Sequence, residues 1–200
     1  MENIFFGFFT GGSLIIAIGP QNLFVIEQGL KKNFVFLVTT ICTLSDIFLI
    51  FLGIYFFSLF SNIVFRFEII LNILLIIFLL FFIKNKISRL NDKYSIDYKA
   101  DSENLKVIVY KTLGFTYLNP HVYSDTIFIL GNFSKNFELN DKLLFGFGAS
   151  VASFIYFFAL GYSAKFFSSF IQREKTWKMI NIFIIFYMSC ITSYVIFSLF

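Results

Sequence analysis

The chain has 200 residues, of which 58% are hydrophobic and 14% are charged, with a net charge of +4 and a mean hydropathy of +0.81. Soluble domains contain roughly 45–50% apolar and about 25% charged residues, and one soluble core of this size could not bury 33 phenylalanines and 10 tyrosines. The composition excludes a soluble globular domain. It predicts an all-α, polytopic membrane protein that contacts the lipid bilayer and has no nucleic-acid partner.

Six segments are long and apolar enough to cross a hydrocarbon core, which requires about 20 residues per helix. The polar stretch 84–106 contains ten charges of mixed sign and predicts a flexible or partly helical linker. We therefore predict a single transmembrane domain over residues 1–200, with one repeat at about 1–83 and a second at about 107–200. The predicted spans lie at about 4–28, 34–60, 65–83, 106–131, 143–167 and 177–199.

The distribution of basic residues predicts the orientation, because cytoplasmic loops are enriched in Lys and Arg. Twelve basic residues flank one side of the predicted spans and three flank the other. The loops at 29–33, 84–106 and 167–177 are therefore predicted to be cytoplasmic, and both termini to lie outside. The three residues on the outer side are Arg66, Lys135 and Lys142.

The first segment contains a polar break, Gly19-Pro20-Gln21-Asn22. Proline lacks an N–H group and clashes with the preceding turn, so the helix is predicted to be kinked or split there. Freed backbone groups cost several kcal/mol in hydrocarbon, so protein or a water-lined cavity must satisfy them. Before the break, the spacing of Gly7 and Gly11 favours close helix packing, within one chain or between two. After it, Glu27-Gln28-Gly29 predicts a helix end with a glycine stop.

The second segment has a carboxylate, Asp46, near its centre, on the helix face shared by Thr39, Thr43 and Gly53. An Asp at this depth costs about 2.5–3.5 kcal/mol on insertion, so it should face a cavity or a partner and not lipid. A protonated Asp that bonds to a neighbouring helix is the structural alternative. The two cysteines, Cys42 and Cys190, lack a paired motif and are predicted to be free thiols in the core.

The fourth segment repeats the pattern of the first. It breaks at Asn119-Pro120-His121, 100 residues after the first break, and continues to a second carboxylate, Asp125. His121 predicts either a proton carrier, since imidazole titrates near neutral pH, or a donor that satisfies the broken backbone. The fifth segment has small residues at positions 146, 150 and 153 but no carboxylate, so the two halves differ chemically.

Three helices before the linker and three after it make the second copy enter the membrane from the opposite side. Inverted repeats with broken helices at corresponding positions are typical of secondary transporters, which hold their solute near the midplane. A broken helix offers N–H groups to a carboxylate and carbonyl groups to an ammonium group, and an amino acid carries both. We predict two inverted three-helix repeats in which helices one and four are broken, and in which Pro20 and Pro120 lie beside one cavity.

These motifs resemble those of the LysE/ArgO-type lysine and arginine exporters along the whole chain. The resemblance implies a secondary active transporter of the bacterial inner membrane, not an enzyme. It further implies export of basic amino acids, L-arginine or L-lysine, driven by the proton gradient or the membrane potential. The matching stretches are Ile18–Asn22, Gln28-Gly29, Ser45-Asp46, Leu118–Tyr123 and Asp125-Thr126.

The predicted site joins both breaks and both carboxylates. Backbone and side-chain groups around the two prolines are predicted to hold the α-carboxylate and α-amino groups of the substrate. Asp46, with Asp125, is predicted to receive the cationic side chain or to exchange a proton with it, and the prolines to act as pivots. The predicted substrate-binding residues are Pro20, Gln21, Asn22, Asp46, Asn119, Pro120, His121 and Asp125.

Other solutes and other protein classes remain as alternatives. An exporter of a neutral amino acid or a divalent metal cation is the main one, although a metal usually recruits several His, Cys or carboxylate ligands. A membrane enzyme would need a nucleophile or metal motif such as G-x-S-x-G or H-E-x-x-H, and the sequence contains neither. A structural scaffold would not require carboxylates at membrane depth. No cofactor and no bound metal are predicted, and self-association into a homo-oligomer is left open.

Overall fold

The computed structural model describes residues 2–16, 19–91, 104–168 and 174–197, and every regular element within these ranges is a helix. The predicted all-α class is confirmed for these ranges. The helices are α1 (Glu2–Ile15), α2 (Pro20–Lys31), α3 (Val35–Asn91), α4 (Leu105–Tyr117), α5 (Pro120–Tyr123), α6 (Gly131–Ser134), α7 (Leu139–Phe167) and α8 (Glu174–Phe197), with a π-helical segment at Ser124–Leu130 between α5 and α6.

Four helical stretches of the described chain are long and apolar enough to cross a membrane: Val35–Phe57, Ile69–Ser88, Leu139–Phe167 and Lys178–Phe197. The pair α1 and α2 makes a fifth when it is taken as one span, with a bend of 81° between its two helices. The fourth predicted segment is present as the shorter pieces α4 to α6, because the Asn119-Pro120 break interrupts it. The chain is thus a multi-pass membrane protein.

The long helix α3 contains both the second and the third predicted segments. Non-helical dihedral angles at Phe56 (φ −122°, ψ 26°) separate an N-terminal part that carries Asp46 from a C-terminal part. The C-terminal part continues to Asn91, beyond the end of the predicted span at residue 83 and into the predicted linker. Phe82, Ile83 and Lys86 are buried there, which explains why the helix continues into a polar sequence. Residues 92–103 of the predicted linker lie outside the described ranges.

Helix α1 packs closely on α7 through glycines. A Cβ atom on Gly7 would overlap the carbonyl oxygen of Phe145, and one on Gly148 would overlap the carbonyl oxygen of Ile4. A Cβ on Gly11 would come within 3.0 Å of the Cα atom of Ala149. The predicted close approach is confirmed, and its partner is a helix of the same chain.

This contact predicts different outcomes for two neighbouring glycines of α1. Gly7→Ala should lower the free energy of unfolding by about 3 kcal/mol, the upper end of the usual cost of overpacking, because the backbone it meets cannot move aside. Gly12→Ala should change it by less than about 1 kcal/mol, since its Cβ would only touch Ala152 at 3.8 Å. Denaturation in detergent, followed by circular dichroism, measures both. Equal losses would show that α1 and α7 are not in this contact.

The C-terminal end of α2 differs from the prediction. The helix does not stop at Gly29 but continues to Lys31, and Lys32 caps it in the left-handed conformation (φ 55°). The Lys32 N–H donates to the Gly29 carbonyl at 3.0 Å, and the Asn33 N–H donates to the Gln28 carbonyl at 3.0 Å. Gly29 is required for another reason, because a Cβ there would lie 2.5 Å from the carbonyl oxygen of Gly161 on α7.

An aromatic cluster joins α2, α3 and α4. Phe115 of α4 stacks on Phe24 of α2, with ring centroids 4.8 Å apart. It also makes edge-to-face contacts with Phe78 and Phe82 of α3, at 4.8 and 5.1 Å. Such pairs contribute about 0.5–1.5 kcal/mol each beyond the area that they bury. The phenylalanines here form packing contacts between helices.

The outward faces of the helices are apolar, as a lipid environment requires. Phe81 of α3 and Phe183, Phe186 and Phe197 of α8 are all more than half exposed. Cys190, also on α8, is exposed, so the prediction that it lies in the core is wrong, whereas Cys42 is a buried free thiol as predicted. Because an outer face of a membrane helix is apolar too, hydropathy does not distinguish it from a core face.

Candidate functional site

The two proline breaks meet at one cavity of about 210 Å³. Pro20 and Pro120 themselves occupy the first helical positions of α2 and α5, where a missing N–H group costs nothing. The residues beside them face the cavity. The lining includes Gly19, Gln21 and Asn22 from the first break, Asn119 and His121 from the second, and both carboxylates, Asp46 and Asp125.

A side chain after the first break satisfies a backbone group before it. Gly19 is extended (φ −113°, ψ −178°) and begins α2, where its carbonyl accepts from the Leu23 N–H at 3.1 Å. The side-chain Nδ2 of Asn22 donates to the carbonyl of Ile15 at 3.0 Å. That carbonyl belongs to the last turn of α1, and the carbonyl groups of a last helical turn need donor partners from outside the helix. The prediction that protein groups satisfy the broken backbone is confirmed here.

The second break has the same arrangement. The side chain of Asn119 caps α5 by accepting from the His121 N–H at 3.2 Å. The Tyr123 hydroxyl, beyond the break, donates to the carbonyl of Tyr117 at the end of α4 at 2.6 Å. In both breaks, therefore, a side chain of the second helix closes the C-terminal end of the first. The two breaks also lie near each other, since a Cβ on Gly19 would be 3.9 Å from Nδ2 of Asn119.

Both predicted carboxylates line the cavity, Asp46 from helix α3 and Asp125 from the π-helical segment. Asp46 is 3% exposed and lies in the middle of the N-terminal part of α3. Its Oδ2 atom accepts a hydrogen bond from the Ser153 hydroxyl of α7 at 3.0 Å. Asp125 is in the first turn of the π-helical segment. The π-helical conformation is rare in proteins and is found frequently at functional sites.

Gln21 brings a buried amide donor to the cavity. The residue lines the cavity and is 5% exposed, and within the described part of the chain its Nε2 atom is buried with no hydrogen-bond partner. A buried amide donor that stays unpaired costs about 1–3 kcal/mol. An acceptor on a bound molecule would remove that cost. His121 differs, because its backbone N–H is bonded to Asn119 while the residue is exposed.

Apolar side chains close the remainder of the cavity. Leu14 and Ile15 from the end of α1, Val122 from α5 and Phe157 from α7 contribute to its lining. The cavity therefore combines carboxylates and amides with an apolar wall. That combination suits a small solute with a positive charge, polar groups that need fixed orientation and a hydrocarbon portion.

The sequence pattern of the LysE type translocator family matches residues 12–198. The chain belongs to the LysE type translocator family. As a member, it is a transporter and not an enzyme.

Several relatives of this LysE type translocator carry the name Arginine exporter protein ArgO. The protein of that name from Pectobacterium atrosepticum is 31% identical over 185 residues, which cover 89% of this chain and 88% of the relative. The one from Yersinia enterocolitica is 32% identical over 183 residues, with the same coverage. The one from Salmonella enteritidis is 31% identical over 188 residues, covering 90% and 86%. No solved structure matches the chain.

Sequence reasoning missed two parts of this LysE type translocator site. Tyr156 of α7 accepts a hydrogen bond from Asn22 at 3.2 Å, although nothing singled it out in the sequence. Its position three residues after Ser153 places it on the same helix face, which could have drawn attention to it. The π-helical segment that carries Asp125 was also missed, since no spacing of apolar residues predicts one extra residue in a helical turn.

Proposed function

We propose that this protein exports basic amino acids, L-arginine and/or L-lysine, across the bacterial inner membrane as a secondary active transporter, coupled to the proton gradient or the membrane potential. One observation carries the proposal: two carboxylates, Asp46 and Asp125, line the same cavity as the ends of two broken helices. The names of the relatives support arginine as the first substrate to test.

The two ends of the substrate would bind to different parts of the cavity. The first turns of α2 and α5 carry a partial positive charge and suit the α-carboxylate. The unpaired amide donor of Gln21, at the start of α2, lies where such an acceptor would bind. Asn22, Asn119 and His121 complete the polar contacts of the amino acid backbone. Asp46 and Asp125 receive the guanidinium or ammonium group of the side chain.

Protonation of a carboxylate gives a mechanism for release. Asp46 and Asp125 hold the cation by charge, so a proton taken up by either of them weakens that attraction. If the proton arrives from outside and leaves towards the cytoplasm, each cycle exchanges a proton for an exported cation. The exchange of one proton for a singly charged substrate is electrically neutral and is driven by the pH gradient. Entry of two protons for each exported cation would move one net positive charge inward, so the inside-negative membrane potential would drive it as well.

We also propose that the chain crosses the membrane six times, in two inverted repeats, with both termini outside. Packing against α7 supports a first span that crosses the membrane completely. Gly7 of α1 meets Phe145 near the start of α7, and Gly29 of α2 meets Gly161 near its end. These two α7 positions are about 24 Å apart at 1.5 Å per residue, which is most of a hydrocarbon core of about 30 Å. The matching hydrogen bonds of the two breaks support the inverted repeat.

Single cysteines test this orientation. In a Cys190→Ser background, Cys42 is the remaining thiol and it is buried. Asn3→Cys should react with a membrane-impermeant maleimide in intact spheroplasts, because the N terminus lies outside. Lys32→Cys should react only after the membrane is permeabilised. Reaction of both cysteines from the same side would show that α1 and α2 return to the side from which they start, and the six-span arrangement would be wrong.

Efflux measurements test the function itself. Cells in which the gene is deleted should retain preloaded labelled arginine and become sensitive to canavanine, and the restored gene should reverse both effects. Labelled lysine should compete if the site accepts both basic amino acids. Labelled alanine and growth in toxic divalent metals serve as comparisons. Resistance that appears only with a metal or a neutral amino acid would contradict the proposal.

A further inference from the structure

Helix α7 contributes no charged side chain to the cavity lining in the described chain, yet it contacts functional groups of both α2 and α3. Ser153 of α7 is fully buried and donates to Asp46 of α3. A serine in a helix commonly bonds to the carbonyl four residues earlier on its own helix. Ser150, one turn before, does so by donating to Gly146 at 2.7 Å. Ser153 instead donates across to a neighbouring helix.

Tyr156 makes the second contact from the same face of α7. Its hydroxyl accepts from Nδ2 of Asn22, and the same amide nitrogen donates to the Ile15 carbonyl across the first break. The orientation of the Asn22 side chain is therefore fixed from two sides. Neither Ser153 nor Tyr156 is among the described residues that line the cavity.

We propose that Ser153 and Tyr156 are positioning residues of the transport site, which hold the Asp46 carboxylate and the Asn22 amide in the orientation that binds substrate. This inference rests on the proposed function for its substrate. Ser153 engages the Oδ2 atom of Asp46 from behind the cavity, which orients the carboxylate group relative to the solute. Side chains held in one orientation bind a ligand with a smaller loss of freedom.

Transport kinetics in inside-out vesicles give the first test. Ser153→Ala should raise the half-saturation concentration for labelled arginine about tenfold, the effect expected when a hydrogen bond to a charged group is lost, and leave the maximum rate within about twofold. Tyr156→Phe should raise the half-saturation concentration about threefold, because both partners of the lost hydrogen bond, the tyrosine hydroxyl and the Asn22 amide, are neutral. Ser150→Ala is the matched control and should leave both parameters unchanged, since its hydroxyl donates to the Gly146 carbonyl of the same helix.

Equal half-saturation concentrations for Ser153→Ala and Ser150→Ala would overturn the inference. A fall in the maximum rate alone, in proportion to a fall in protein in the membrane, would overturn it as well, because that result indicates a structural role.

A second test does not depend on the substrate. Dicyclohexylcarbodiimide labels carboxyl groups within membranes, and mass spectrometry of the peptide that contains Asp46 measures the rate of its modification. Ser153→Ala should accelerate the labelling of Asp46 several-fold, because the carboxyl group is no longer held by a donor. Ser150→Ala should not, and Asp46→Asn provides the blank. Equal labelling rates would overturn the inference even if arginine is exported, and faster labelling would support it even if the exported solute is a different one.

Discussion

Asp46→Asn is expected to reduce arginine uptake into inside-out vesicles by at least about 100-fold. The amide has the shape of the carboxylate and keeps an oxygen for the Ser153 hydroxyl, so the helix contact survives. It has no charge for the guanidinium group, and a buried charge that loses its partner costs about 3–5 kcal/mol. The initial rate of labelled arginine uptake, normalised to the amount of protein in the membrane, measures the effect.

Asp141→Asn provides the matched control for this substitution. Asp141 lies in the first turn of α7, at the other end of the helix from Lys165 and outside the described cavity lining. The same chemical change there should leave uptake within about twofold. If Asp46→Asn transports arginine as fast as the unchanged protein, Asp46 does not hold the cation and the proposed site is wrong.

Glu27→Gln is expected to have the largest effect on stability. Glu27 of α2 is 2% exposed, and its Oε1 atom pairs with Lys86 of α3 at 2.6 Å and with Lys31 of α2 at 2.7 Å. Removal of one partner from a buried ion pair costs about 3–5 kcal/mol, because the other charge remains in a site that no longer compensates it. Thermal unfolding in detergent should show a correspondingly lower midpoint.

The double variant Glu27→Gln, Lys86→Met should recover part of this loss, since it also removes the Lys86 charge that the loss of Glu27 would leave unpaired. Glu138→Gln, an exposed carboxylate before α7, should change the stability by no more than about 0.5 kcal/mol. A loss at Glu27 as small as that at Glu138 would mean that the pair is accessible to water and does not connect α2 to α3.

The sequence was sufficient for features that depend on local chemistry. Apolar segments predict spans because hydrocarbon imposes a minimum length, and Pro20 and Pro120 predict breaks because proline lacks a donor. Asp46 could be predicted to face a cavity because its burial in lipid is costly. None of these features shows which residue of another helix each side chain contacts. That Asp46 meets Ser153, and Asn22 meets Tyr156, depends on the rotation of α7 about its axis.

The same limit explains the errors at helix ends. Gly29 has the sequence signature of a helix stop, but close packing on Gly161 requires a glycine there within the helix. Lys84 has the signature of a span end, but Lys86 is buried against Glu27, which lies 59 positions earlier in the sequence. In both places a contact with another helix determined where the element ended. Local propensity could not contain that information.

The packing of α1 and α2 on α7 constrains both the movement of the chain and its assembly during synthesis. Within the described ranges, α1 packs on α7 and the π-helical segment, both from the second half of the sequence, and α2 packs more on α7 than on α3. The two halves are interlocked, so a rigid motion that preserves these contacts carries α1, α2 and α7 together. During synthesis, α1 and α2 can form their contacts with α7 only after the ribosome has completed that helix.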